Sequence, residues 1–350
     1  MFLKNVWYVA AWSSDVVAGR PVARTIVGDS LVLFRTAAGT VAAIEDRCIH
    51  RGMPLSAGES EGDIVRCPYH GLEFDGTGRC TKIPGQESIP RDAAVRSYPV
   101  VDQDALVWIW MGDHDRANPA DIPAHPYHTD PAWAWSKILL EVNAGWQLFN
   151  DNLLDLSHLG HVHKRTIGGD PDAHANAEMP TVRDGDRVHV RRWLLDSTPP
   201  PFYKNAGNFS GSIDRWQEID FRPGLLEFYT GATDAGTGAY EGRRNGGVHI
   251  RHLHGITPQT DYSTLYFFTQ ARNFGLDVPG LTEKLHDLAV LTFQEDKAVL
   301  EAQQEQLLRN PEGRTINIRS DAGGVHARRI VEERYAAERN STPEPAGATR

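Results

Sequence analysis

Through roughly the first 113 residues, apolar side chains come in short runs separated by glycine-bearing turns. Ser30-Leu31-Val32-Leu33-Phe34, Val41-Ala42-Ala43-Ile44, Ile64-Val65 and Leu106-Val107-Trp108-Ile109-Trp110 read as strands or the apolar centres of strands. Ala38-Gly39 and Asp75-Gly76-Thr77-Gly78 read as the turns between them. Several short strands with tight turns predict a small all-β barrel or sandwich. The pattern then gives way to a loop carrying Pro119, Pro123, Pro126 and Pro131, and a domain boundary is expected within residues 113–135. Residues 143–163 read as helical, with Leu148, Leu153, Leu154, Leu156 and Leu159. Strand patterns return between about 180 and 275, as in Arg187-Val188-His189-Val190 and Thr264-Leu265-Tyr266-Phe267-Phe268. Leu281 to Leu308 predicts one long helix. The expected class is α+β: an all-β domain over 1–115, a second domain over 116–340, and a disordered tail over 341–350 with two prolines and small polar residues.

A chain of 350 residues has room for two such domains. Its formal net charge of -10 gives no basic field to hold nucleic acid or an anionic membrane, so a small organic molecule is the expected partner. No apolar run reaches the ~18 residues a membrane span needs, and Met1 to Trp12 lacks the apolar core of a signal peptide. Cys48, Cys67 and Cys80 are too few, and odd in number, for a disulfide framework, which points to the cytoplasm.

Two of those cysteines stand in a telling arrangement. Cys48-Ile49-His50 and Cys67-Pro68-Tyr69-His70 each pair one thiolate with one imidazole, with 16 residues between His50 and Cys67. A [2Fe–2S] core held by two Cys on one iron and two His on the other needs that set. Structural zinc accepts the same four ligands, but finger-type sites group the cysteines together and the histidines together. Mixed pairs favour the cluster. Gly52 and Gly71 each follow just after a histidine, as suits loops whose backbone approaches cluster sulfur. Cys80 has no matching partner and reads as structural.

A second metal signal lies in Asn150 to His163, where His158, His161 and His163 share fourteen residues with Asp151 and Asp155. An Fe(II) ion that activates O₂ takes two His and one carboxylate and keeps open positions. Spacing leaves open which two histidines serve; on a regular helix His158 and His161 share a face. The carboxylate is expected from the long helix. Leu281, Leu285, Leu288, Ala289, Phe293, Val299 and Leu300 form an apolar face, Asp296 falls near its centre and Glu295 toward its edge. An ionised Asp there is costly unless a cation or strong donors meet it. A partnering Arg or hydrogen-bonded capping is the plainer alternative.

These motifs, with Asn5-Val6-Trp7-Tyr8-Val9-Ala10, Asp151-Asn152-Leu153-Leu154-Asp155, Asp214-Arg215-Trp216-Gln217, Ala271-Arg272-Asn273-Phe274 and Asp321-Ala322-Gly323-Gly324-Val325, make the chain resemble a known family over nearly its whole length. It is similar to the oxygenase components of the vanillate O-demethylase, toluenesulfonate methyl-monooxygenase and dicamba O-demethylase group of Rieske non-haem iron enzymes. The resemblance implies a Rieske domain followed by a helix-grip (START-like) catalytic domain with an antiparallel sheet and a long C-terminal helix, assembled as a homotrimer. It implies cluster ligands Cys48, His50, Cys67 and His70, iron ligands His158, His163 and Asp296, and a helix that breaks or bulges between the two histidines. Asn152 and Asp155 would belong to the catalytic machinery, with Asp155 linking His158 to His70 of the partner subunit. His161 would line the pocket. His254 would contact substrate, with Glu227, Tyr203 and Arg251 as weaker candidates.

The expected activity is oxygenation of a methyl or methoxy group on an aromatic acid, part of aromatic catabolism, with O₂ and electrons from NAD(P)H through a reductase or ferredoxin. Ring hydroxylation is the alternative within the same architecture. A pure electron carrier would need only the first third of the chain, and a hydrophobic ligand-binding protein would not need the cluster motif. Vanillate, another methoxybenzoate and an arylsulfonate all stay open as substrates. Arg47, Arg51 and Arg66 beside the cluster loops are expected to form a basic patch for an acidic redox partner.

Overall fold

The structure is a computed structural model that describes residues 1–341; the expected tail lies, beyond Ser341, outside the described residues. The described residues divide into two compact units, one of residues 1–125 with 257–260, the other of 126–256 with 261–341.

The first unit is all β. In chain order its strands are β1 (Trp7–Trp12), β2 (Val22–Ile26), β3 (Asp29–Arg35), β4 (Val41–Glu45), β5 (Glu59–Glu61) and β6 (Ile64–Arg66). β7 (Glu73–Asp75), β8 (Cys80–Lys82), β9 (Ser97–Tyr98), β10 (Val100–Gln103) and β11 (Leu106–Trp110) follow. They form three antiparallel sheets, ordered β1-β11-β10, β2-β3-β4-β9 and β5-β6-β7-β8. The four apolar runs of the sequence lie on β3, β4, β6 and β11. A core of Val32, Phe34, Ile44, Leu55, Val65, Leu72 and Phe74 also encloses all three cysteines, none of them in a disulfide. The Asp75 carboxylate builds the turn before β8 by accepting from the backbone N–H of Thr77 and of Arg79.

The second unit is built on one antiparallel sheet. Its elements in order are β12 (Ala134–Val142), α1 (Trp146–Leu154), α2 (Leu159–Val162), α3 (Pro171–Asn176), β13 (Thr181–Asp184), β14 (Arg187–Ser197) and α4 (Pro201–Ala206). Next come β15 (Ile213–Arg222), β16 (Leu225–Asp234), β17 (Val248–Thr260), β18 (Ser263–Arg272), α5 (Leu281–Arg309) and α6 (Ala322–Ser341). The sheet order is β12-β18-β17-β16-β15-β14-β13. α5 packs on β12 and α1, and α6 packs on α1 and β14. In α5 the buried residues are Leu281, Leu285, Ala289, Thr292, Asp296, Leu300 and Gln304, spaced three or four apart as one stripe. Val299, expected on that face, is instead 43% exposed, because it lies off the stripe that runs from Asp296 to Leu300. α6 has no strong apolar pattern and was not expected. It is docked by Arg328, whose guanidinium grips both oxygens of Asp151 on α1.

The helix expected over 143–163 is interrupted. α1 stops at Asp155, whose backbone turns to φ -101° and ψ 100°. Its carboxylate accepts the Ser157 N–H at 2.8 Å and so starts a 3₁₀ turn over Leu156–His158, which runs on into α2. The break therefore comes before His158, not between the two histidines. His163 is the residue that ends α2.

One close approach sets the sheet that carries the candidate site. Gly231 on β16 pairs with Trp216 on β15, and a Cβ at 231 would sit 2.1 Å from the indole and 2.5 Å from the Val248 carbonyl oxygen. Trp216 is fully enclosed and a backbone carbonyl cannot swing away. Gly231→Ala is expected to cost about 1–3 kcal/mol of stability. Denaturant unfolding measures it, and an unchanged midpoint would show that the sheet yields there.

Candidate metal centres and pocket

In the first unit, two loops repeat one design. The Cys48 N–H bonds to the Met53 carbonyl and the Gly52 N–H to the Cys48 carbonyl; the Cys67 N–H bonds to the Leu72 carbonyl and the Gly71 N–H to the Cys67 carbonyl. Gly52 at φ 73° and Gly71 at φ 72° take the left-handed conformation that closes each turn. Both loops thereby present a buried thiol and an exposed imidazole. The two sulfurs interact: burial and the neighbouring Cys67 thiol push the Cys48 thiol above its ordinary value. The Nδ1 atoms of His50 and His70 are 3.1 Å apart. Two interacting buried thiols and two adjacent exposed imidazole nitrogens, carried on loops of the same design, suit a cluster with sulfur ligands inside and nitrogen ligands outside. Of the expected basic patch, Arg47 and Arg51 are exposed, but Arg66 is already paired with Glu61 and Glu73 at 3.0 and 3.1 Å.

In the second unit, donor atoms of His158, His163 and Asp296 all lie within 4.8 Å of one another. Asp296 Oδ1 is 3.2 Å from His163 Nε2 and 3.6 Å from His158 Nε2. The 3₁₀ turn overwinds the chain before α2, and His163 sits past the helix end, so residues five apart face one another with ring centroids 5.2 Å apart. The second nitrogen of each ring is held. His158 Nδ1 donates to the Asp155 backbone carbonyl at 2.5 Å, and His163 Nδ1 meets Glu295 Oε2 at 2.8 Å. The Asp155 contact to His158 thus uses the main chain, while its carboxylate caps the next turn. Thr166 donates to the same Glu295 oxygen at 3.0 Å, and Asn152 Nδ2 donates to Asp296 Oδ1 at 3.1 Å. With both Nδ1 atoms engaged, both Nε2 atoms are left for a cation. Burial tends to lower both histidines. At His158 it prevails; at His163 the Asp296 and Glu295 carboxylates together outweigh it and hold the imidazole above its ordinary value.

The three groups open onto a cavity of about 90 Å³ whose lining includes Leu153, Leu156, Ile167, Phe202, Phe228 and Phe293. That is smaller than the apolar cavity of about 150 Å³ that admits benzene, so a fused ring system does not fit it. His254 and Tyr203 also line it, as their candidacy required. His254 Nδ1 lies 2.7 Å from the Tyr266 hydroxyl. Burial pushes His254 well below and Tyr266 well above their ordinary values, so both are neutral. Among the described residues the phenol O–H has no other acceptor, so it donates to Nδ1 and leaves the enclosed Nε2–H unpartnered on the wall. Three expected residues do not reach the cavity. His161 is exposed on the outer side of α2. Glu227 pairs with Arg222 at 3.1 Å, and Arg251 lies 3.6 Å over the Tyr229 ring. Sequence reading gave Glu295 no part beside His163 and missed Thr166, Gln217 and Gln270; the position of Glu295 next to Asp296 at the stripe's edge was the available signal.

Family comparison agrees with this division. A Rieske [2Fe-2S] domain matches residues 6–99, and the vanillate O-demethylase oxygenase C-terminal domain matches residues 142–337, more than half the chain. The chain belongs to the Rieske non-haem iron oxygenases of the vanillate O-demethylase type. It is 41% identical to the iron–sulfur subunit of the toluene-4-sulfonate monooxygenase system of Comamonas testosteroni, over 98% of this chain and 99% of that one. Identity to the vanillate O-demethylase oxygenase subunit of a Pseudomonas species is 36%, over 97% of each. The crystal structure of dicamba monooxygenase bound to dicamba superposes with a TM-score of 0.87 at 32% identity, covering 97% of this chain and 99% of that one. Rieske oxygenases of this type carry a [2Fe–2S] cluster and a mononuclear iron, and the two donor sets described above fit both groups. As a component of a multi-component system, such a chain works with an electron-transfer partner. No helix among the described residues is long and apolar enough to cross a membrane.

The geometry separates two neighbouring histidines. His161→Ala is expected to keep the full iron content and turnover, whereas His163→Ala loses about one iron per chain. Iron analysis on both variants checks this, and iron loss from the His161 variant would show that the α2 surface rearranges.

Proposed function

We propose that this oxygenase hydroxylates a methyl or methoxy group on a single-ring aromatic acid. The observation that carries the reading is the His158–His163–Asp296 constellation opening onto a cavity with many apolar side chains and too small for a fused ring system. A pure electron carrier has no use for either. His158, His163 and Asp296 would hold the iron, and Cys48, His50, Cys67 and His70 the cluster. The bound metals supply electron delivery and oxygen activation. The protein's own part is to orient the imidazoles through Asp155 and Glu295, to exclude water with the apolar wall, and to hold the ring in place. For a methoxy substrate, O₂, two electrons and two protons give the hemiacetal and water, and the hemiacetal collapses to phenol and formaldehyde. For a methyl substrate the same inputs give the benzylic alcohol and water.

Residues 1–115 would house the cluster and 116–340 the iron and substrate. NAD(P)H is the expected electron source, through a reductase or ferredoxin that meets Arg47 and Arg51, and the setting is cytoplasmic. In a homotrimer, the free oxygen of Asp155 would receive the ring N–H of His70 of the partner subunit, and the path to His158 would run through the Asp155 main chain.

Three outcomes follow. Asp296→Ala should hold about one iron fewer per chain, keep the visible absorption of the cluster and lose oxygenation; normal turnover would remove Asp296 from the ligand set. Asp155→Asn should leave a folded protein with a reducible cluster but slow the substrate-dependent oxidation of that cluster by O₂. Stopped-flow absorption reads this step, and wild-type rates would eliminate the bridge. With a methoxybenzoate that is turned over, formaldehyde and phenol should appear in equal amounts; a cis-diol would transfer the reading to ring hydroxylation.

A further inference from the structure

Of the three buried arginines in the second unit, Arg272 at 4% exposure donates to the Phe274 carbonyl and to Thr282, and the other two are Arg192 at 1% and Arg215 at 3%. Neither pairs with a carboxylate among the described residues. Arg192 donates to Gln217 Oε1 from two nitrogens, Nε at 2.9 Å, and to the Leu156 carbonyl at 2.6 Å. Arg215 donates to the carbonyls of Gly168 and Ile167 at 3.3 and 3.2 Å and lies 4.8 Å over the Tyr203 ring. Burial, and then the charge of Arg215, pull Arg192 well below its ordinary value, so the pair is held against mutual repulsion. Buried charges without a counter-ion are costly unless something arrives to balance them.

Only Arg215 of the two faces the cavity, and its Nε–H is enclosed and unpartnered. Gln217 stands two residues further along β15, on the same face and the same wall. Its Oε1 is committed to Arg192, which leaves its NH₂ as the end free to donate. Gln270 adds another unpartnered Nε2. These are donors on a wall that also carries Leu156, Ile167, Phe228 and Phe268, the complement of an oxyanion carried on an aromatic ring. The group that Arg215 holds is also tied to the candidate iron: the Gly168 N–H bonds to the His163 carbonyl at 2.9 Å.

We propose that Arg215, with Gln217 oriented by Arg192, is the anchor for the acid group of the substrate, a carboxylate or sulfonate. This assignment rests on the reading of the cavity as the substrate site, and it places the anchor on β15 rather than on Glu227 or Arg251. His254, a neutral donor, then serves the ring or its other substituents.

The test is ligand binding to the iron-loaded protein without oxygen, where no turnover occurs. Calorimetry would compare 4-toluenesulfonate and 4-methylbenzoate with their neutral amides, on wild type, Arg215→Met and Arg215→Gln. Wild type should bind at least one anion more tightly than its amide by about 10- to 150-fold, the range for hydrogen bonds to a charged group. Whichever anion wins identifies sulfonate or carboxylate. Both variants should lose that preference while their affinity for the amide changes by less than about threefold, within the scatter of a neutral contact. Visible cluster absorption reports folding, and Arg215→Gln keeps donors for the two loop carbonyls should the Met variant misfold. If neither variant keeps its cluster, the wild-type preference alone decides. A wild type indifferent to charge, or a preference that survives in a folded variant, overturns the assignment. An anion that binds through Arg215 yet is never oxygenated would instead count against the proposed reaction and leave the anchor standing.

Discussion

A carboxylate is buried in the middle of the helix stripe that should be the most apolar surface of the second unit. Asp296 is 4% exposed and shares its stripe with Leu285, Ala289 and Leu300. Such a group persists only where donors or a cation meet it. Here α1 supplies the Asn152 amide, and the segment after it supplies two imidazoles. That demand explains why α1 stops where it does. A continuous helix through 163 would carry His163 away from His158; the stop at Asp155, the 3₁₀ turn and the early end of α2 turn both rings toward one oxygen. The long helix and the broken one are thus held by the same polar contact, with the sheet behind them as a rigid wall.

The two donor sets are built by opposite means. The cluster loops are local: each is closed by its own pair of backbone bonds and a left-handed glycine, within six residues. The candidate iron site is non-local, with ligand atoms brought together from positions 158, 163 and 296 across more than a hundred residues. Local design leaves a clear trace in sequence, which is why Cys48, His50, Cys67 and His70 could be read from spacing. Asp296 was legible for another reason, as a polar residue out of place in an apolar periodicity. The choice among His158, His161 and His163 was not legible from spacing, because it depends on winding that begins at the Asp155 cap.

Other features were hidden for reasons of the same kind. The strands at 30–34, 106–110 and 264–268 announced themselves by length and composition. Helix α6 did not, since its buried side chains Ala327, Ile330 and Val331 are few and stand among charged residues, with the Arg328–Asp151 contact beside them. Glu227 and Arg251 looked available because they are charged residues on strands, but each is consumed by a neighbour, Arg222 and Tyr229. Arg192 and Arg215 lay inside runs of alternating polarity that read equally well as half-exposed strand. The burial of both faces of β15 over Ile213–Gln217, and of Arg192 on β14, shows that these cations are enclosed.

An enclosed guanidinium at the unreacting end of a ligand has a kinetic cost. Oxidation at a methyl or methoxy carbon leaves the acid group unchanged, so the phenol or alcohol that forms is gripped as firmly by Arg215 as its parent was. The grip cannot discriminate before from after; only the altered end of the molecule can. Departure then depends on the mismatch created near His254 and the candidate iron, where a new hydroxyl meets Leu153, Phe293 and their neighbours in a space shaped for an alkyl group. A pocket that held substrate and product through the same Arg215 contact would compete with its own product, and escape would then weigh on its throughput.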